Sequence, residues 1–140
     1  MIPIKRDHEI DKMRRAGECA ASILADLASR IAPGVTTGEI DHAASQLMSQ
    51  AGVRSAFLGY KKFPGHICIS INEEIVHGIG GARRIAYGDV VKMDVGIIRD
   101  GCSMLRVRVA SACGRSKSQS VSGNSLSAPH KIATEWSLNI

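Results

Sequence analysis

Residues 63–101 read FPGHICISINEEIVHGIGGARRIAYGDVVKMDVGIIRDG. Two alternating runs, Ile67–Ile71 and Asp89–Ile97, have the period of half-buried strands. Between them lies a polar stretch that ends in His77-Gly78. Gly78, Gly80 and Gly81 mark the following segment as a flexible loop. Asp100-Gly101 is a hairpin turn signal, so an antiparallel strand is expected next. Past Asp89 at its start, the second run carries one acid, Asp94, among Val90, Val91, Met93 and Val95. A carboxylate there must find hydrogen bonds, a cation or a metal, or else neutralise. Asp94 is therefore the first candidate functional residue.

Upstream, Ile10, Met13, Gly17, Ala20, Ile23, Leu24, Leu27 and Ile31 recur at helical spacing. They predict an amphipathic helix over 7–31 with Asp7 as its N-cap. Pro33-Gly34 stops it. Thr36-x-x-Glu39 reads as a capping box that opens a second helix, with Ile40, Ala43, Ala44, Leu47 and Met48 on its apolar face. Gly52 follows as its C-terminal residue.

The 140 residues suffice for one domain with a modest core. Phe, Trp and Tyr make up 4% of the chain, so the core must be aliphatic. No apolar run approaches the roughly 20 residues that span a bilayer, and MIPIKRDHEI lacks the apolar region of a signal peptide. A cytoplasmic location is expected, with no membrane partner. Cys19, Cys68, Cys102 and Cys113 form no C-x-x-C pair and read as free thiols.

The net charge of +5 is uneven. Residues 1–100 hold 13 Lys and Arg against 12 acids, whereas 101–140 hold five against Glu135 alone. The basic balance is thus no argument for nucleic-acid binding by the folded part. Residues 101–140 also carry nine serines, and 116–127 lack apolar periodicity and read as disordered. Leu105, Val107 and Val109 alternate with Arg106 and Arg108, so Met104–Ala110 can still make a short strand.

Taken one at a time, the candidate residues have plain readings. A strand Asp is more often a hydrogen-bonded structural group than a ligand. His77 would be a solvated turn histidine, Tyr60 and Phe63 core aromatics, and Cys68 a small apolar residue.

The combination is more specific. Gly59-Tyr60, Phe63-Pro64, Cys68-Ile69-Ser70-Ile71-Asn72-Glu73, His77-Gly78-Ile79, Gly88-Asp89-Val90-Val91, Asp94-Val95-Gly96 and Asp100-Gly101 together resemble the type I methionine aminopeptidases. Ala32-Pro33-Gly34-Val35-Thr36-Thr37, between the two helices, fits the same family. The resemblance covers 1–101. It implies an α/β chain that forms the N-terminal half of a pita-bread (creatinase/aminopeptidase) fold, two helices plus an antiparallel sheet. It implies removal of the initiator methionine from nascent proteins by a dinuclear site of divalent metal ions (Co, Mn, Fe or Zn), held by two Asp, one His and two Glu. Asp94 resembles the first Asp ligand. His77 resembles the histidine that contacts substrate near the scissile amide. Tyr60, Phe63 and Cys68 fall where the family builds its methionine pocket. Gly80 stands where proline is common.

Residues 102–140 do not match. The second Asp ligand is expected eleven residues after the first, and that position is Leu105. The His and two Glu ligands lie in the family's C-terminal half. One ligand of five remains, so the expectation is a truncated, inactive chain that does not retain the metals. The tail then reads as disordered or out of frame, through a shifted reading frame, an unspliced boundary or a shortened gene. A shifted frame is compatible with this stretch: were Ser103-Met104-Leu105 encoded by TCG-ATG-CTN, reading from the third base would give Asp-Ala, one residue short of the expected spacing. The alternative is a non-catalytic module whose basic tail contacts RNA or the ribosome; no DNA partner is expected.

Overall fold

The structure, a computed structural model, describes residues 4–112. Two helices cover one face of a four-stranded antiparallel sheet. The elements run α1 (Asp7–Ser29), α2 (Thr37–Gln50), β1 (Arg54–Ser55), β2 (Cys68–Ile71), β3 (Val90–Arg99) and β4 (Cys102–Ser111). β3 is the centre. β1 and β2 pair along one of its edges and β4 along the other.

Helix α1 begins at Asp7 as expected, but with Arg6 rather than Asp7 as its cap. The reason is Glu9, whose carboxylate accepts the Arg6 N–H at 2.8 Å. An acid three residues into a helix satisfies a backbone donor that would otherwise lack a partner. The helix also ends at Ser29, short of Ile31. Helix α2 starts as expected: Glu39 N–H donates to Thr36 Oγ1 at 3.1 Å and Thr36 N–H to Glu39 Oε2 at 2.7 Å.

Ala20, Ile23, Leu24 and Leu27 of α1 and Ile40, Ala43, Ala44 and Met48 of α2 are buried against Ile69, Ile71, Val91, Met93, Val95 and Ile97. The core is aliphatic, as the scarcity of aromatics requires. Each fully buried Leu or Ile contributes about 1.5–3 kcal/mol relative to exposure, and this side of the sheet holds most of them.

Asp100 and Gly101 both take positive φ, 51° and 78°, and join β3 to β4 as a two-residue hairpin turn. β4 then pairs with β3 over its whole length, from Arg99 opposite Cys102 to Val90 opposite Ser111. The change of composition after Gly101 is therefore not a change of element. A hairpin needs a turn and alternation, and Leu105-Arg106-Val107-Arg108-Val109 supplies the alternation. The expected strand over Met104–Ala110 lies inside β4. The serine-rich segment 116–127 lies outside the described residues.

The glycine-marked segment 78–87 is tied down rather than free. Gly81 N–H donates to Thr37 Oγ1 at 2.9 Å, Gly38 N–H to the Gly81 carbonyl at 2.8 Å and Ile85 N–H to the Val35 carbonyl at 2.8 Å. Two of its glycines, Gly78 and Gly80, serve close approach: a Cβ on Gly80 would lie 2.8 Å from Asp41 Cβ. Cys19, Cys68 and Cys102 are free thiols.

Candidate active-site face

Side chains alternate across a strand, and directly paired residues share a face. Val91, Met93, Val95 and Ile97 point at the helices. Lys92, Asp94 and Gly96 therefore lie on the opposite face. Cys68 is the register partner of Asp94, and Ser70 of Lys92. From β4, Val109, Val107 and Leu105 stand opposite Lys92, Asp94 and Gly96. The face thus brings Cys68 and Asp94 together.

His77 joins them from the turn after β2. Its backbone sits at φ +60°, and its Nδ1 lies 3.9 Å from Cys68 Sγ. Burial pushes the Asp94 carboxyl above the ordinary carboxylate range, and the neighbouring His77 and Lys92 pull it partly back. Burial, with Asp94 and Asp41 nearby, pushes the Cys68 thiol up to about 11. A thiol raised in this way stays protonated near neutral pH rather than forming a thiolate.

Phe63 and Tyr60 have different surroundings. Phe63 packs edge-on against Phe57, with ring centroids 6.3 Å apart and planes at 80°. Phe57 in turn lies over Gly96, where a Cβ would come within 2.6 Å of its ring. Tyr60 is 65% exposed, with Lys61 Nζ 5.6 Å from its ring centroid. Ser55 fixes this loop: its hydroxyl donates to the His66 carbonyl at 2.6 Å and accepts the Phe57 and Leu58 N–H groups at 3.0 and 3.1 Å. Sequence reading missed Phe57. A glycine inside an apolar strand was the available signal, since it marks close approach by another group. It also missed Ser70 and Lys92, which period two places on the Asp94 face.

Leu105 decides what the face can hold. It lies two residues along β4 from Val107, the partner of Asp94, so it is the diagonal neighbour on Asp94's own face. Its aliphatic side chain supplies no ligand atom. Among the described residues, no three His, Cys, Asp or Glu side chains group closely enough to hold a metal ion. Hard divalent ions need several oxygen or nitrogen donors to replace their hydration shell. The residues present do not fit a dinuclear centre.

Comparison with known proteins gives the family. Metallopeptidase family M24 matches residues 11–122. The chain belongs to this family. Such a family implies divalent metal cofactors. The chain is 37% identical over 101 residues to the methionine aminopeptidase of Clostridium perfringens, covering 72% of this chain and 41% of that protein. It is 44% identical over 101 residues to that of Salmonella typhimurium, covering 71% and 38%. The methionine aminopeptidase structure from Rickettsia prowazekii superposes with a TM-score of 0.79 at 33% identity, over 81% of this chain and 46% of that one. The M24 chain described here therefore spans about 40% of the length of the curated relatives it matches. Its helices and antiparallel sheet are one half of the α/β pita-bread fold. The M24 match continues through β4, where the strand pattern persists without the expected carboxylate.

Proposed function

We propose that this M24 chain carries one side of a methionine aminopeptidase site and does not itself release methionine. In this reading Tyr60, Phe63 and Cys68 offer the apolar wall for a methionine side chain, and Phe57 backs Phe63. His77 contacts the peptide near the scissile amide. Asp94 occupies the place of a metal ligand. The substrate class is the N-terminal methionine of nascent peptides, and the setting is the cytoplasm. Among the described residues, no helix is long and apolar enough to cross a membrane.

The observation that carries the inactive reading is Leu105 on the Asp94 face. A metal can lower the pKa of a bound water from ~15.7 to about 7, but only where a site holds the ion and leaves one position open. A single carboxylate with an apolar diagonal neighbour does not make that site. No catalytic step is assigned to this chain.

The test uses the purified full chain with Co(II), Mn(II), Fe(II) or Zn(II) and the peptide Met-Ala-Ser. No methionine release above background is expected. Isothermal titration showing two tightly bound ions per chain, both lost in Asp94→Ala, would overturn the reading.

A further inference from the structure

His77 sits in a turn that burial does not hold. The preceding Ile75 and Val76 are 80% and 58% exposed, and His77 itself is in the left-handed region at φ +60°. A non-glycine residue adopts that conformation at a cost and keeps it only when its surroundings over-determine it. The two ends of the turn are fastened to β2. Gly78 N–H donates to Ser70 Oγ at 3.0 Å and Ile69 N–H to the Gly78 carbonyl at 2.9 Å. At the other end Glu74 Oε2 accepts the Ile71 N–H at 2.9 Å, and Arg83 Nη1 lies 2.7 Å from Glu74 Oε1. The middle is spanned from β3. The Lys92 ammonium donates to the carbonyls of Glu74 and of Ile75, the latter at 3.0 Å.

We infer that Lys92 is a positioning residue for His77: its ammonium clamps the carbonyls of Glu74 and Ile75 and thereby fixes the imidazole over Cys68. Lys92 pairs with Ser70, the residue that holds Gly78. The two neighbours on one sheet face thus grip the two sides of His77. A lysine suits the task. Its three donors reach two diverging carbonyls at once, and its four-carbon stem crosses from the strand to the turn. A hydrogen bond from a charged donor is also stronger than a neutral one. The importance of the clamp for peptide handling rests on the reading of His77 as a substrate contact; the clamp itself does not.

The test is magnetic resonance on the isotope-labelled full chain and its Lys92→Met and Lys92→Arg variants. In Lys92→Met the His77 imidazole resonances should move, and exchange of the Gly78 amide should rise about tenfold or more. Amides of Met93 and Val95 should keep their protection. Lys92→Arg, which retains a charged donor, should restore much of the His77 signature. Unmoved His77 resonances in a folded Lys92→Met would overturn the inference. If Lys92→Met does not fold, the wild type decides: a scalar coupling from Lys92 Nζ to the Glu74 and Ile75 carbonyl carbons is expected, and its absence overturns the clamp. Titration of Met-Ala-Ser separates the two readings. A peptide that leaves His77 undisturbed defeats the substrate contact, while the effect of Lys92→Met on the turn still stands or falls by itself.

Discussion

Leu105 stands opposite Gly96 in the β3–β4 hairpin, on the face that Asp94 occupies two residues along β3. Diagonal neighbours across an antiparallel pair have Cβ atoms roughly 7–8 Å apart or somewhat less, within reach of two carboxylates that share an ion. Leu105→Asp should therefore give this chain a divalent-metal response. Without metal the variant should lose about 2–3 kcal/mol, because an apolar side chain is lost and a second carboxylate faces Asp94. Millimolar Mn(II) should return part of that loss as a rise in Tm, since an ion bound only by the folded state stabilises it. The wild type should respond little. Equal Mn(II) shifts for both proteins would sink the argument.

The glycines at 78 and 96 make a graded prediction. A Cβ at Gly78 would lie 2.0 Å from the Ile69 carbonyl oxygen, which is backbone held in β2. A Cβ at Gly96 would meet the Phe57 ring, a side chain that can turn away. Gly78→Ala should cost about 3–4 kcal/mol and Gly96→Ala about 1–3 kcal/mol. Urea midpoints would measure both. Gly96→Ala should in addition displace Phe63, visible as a changed aromatic circular dichroism signal, because Phe57 supports it. A Gly78→Ala variant as stable as wild type would contradict the backbone geometry.

How much of this was legible beforehand depends on the range of the interaction. Both helices, the Thr36–Glu39 box, the two strands and the Asp100-Gly101 turn follow from local chemistry, and all are present. The resemblance gave Asp94 and Cys68 separate expected roles, and their pairing appears only with the β2–β3 register. Phe57, Ser70 and Lys92 were not recognised. Their roles come from register between strands distant in sequence and from a turn whose carbonyls carry no side-chain signal. The segment around Gly80 looked loose because glycine marks both flexible loops and close packing. The contact of Gly80 with Asp41 and the hydrogen bonds of Gly81 with Thr37 and Gly38 distinguish the two.

Asp41 ties α2 to the start of β2. Its Oδ1 accepts the His66 and Ile67 N–H groups at 2.7 and 3.0 Å, and its Oδ2 lies 3.2 Å from His66 Nδ1. Asp41→Ala leaves two part-buried backbone donors without that acceptor and should cost about 2–3 kcal/mol. Asp41→Asn keeps an acceptor oxygen and should cost about half as much or less. Thermal melts of the two variants check the ranking. Similar losses would mean that the contribution of Asp41 is its charge toward His66 rather than its hydrogen bonds.

Acid should destabilise the fold, and the groups responsible have opposite signs. The Thr36 backbone N–H and hydroxyl hold Glu39 below its ordinary value of 4.5. The Ala86 N–H and the Asn72 amide hold Asp89 below its ordinary 3.8. A carboxyl whose folded pKa is depressed stabilises the fold above its unfolded pKa, and that contribution is lost as pH falls through the folded value. Asp94 works the other way. Its carboxyl is raised by burial, so the ionised form opposes folding, and the opposition fades as pH falls through its raised value. Tm should therefore hold from about pH 7 to 5 and drop below the ordinary carboxylate range. Glu39→Gln should flatten part of that drop. Asp94→Asn should raise Tm at neutral pH, with the gain shrinking in acid. Circular dichroism melts across the range would read both, and a gain from Asp94→Asn that grows toward low pH would show that burial is not what governs this carboxyl.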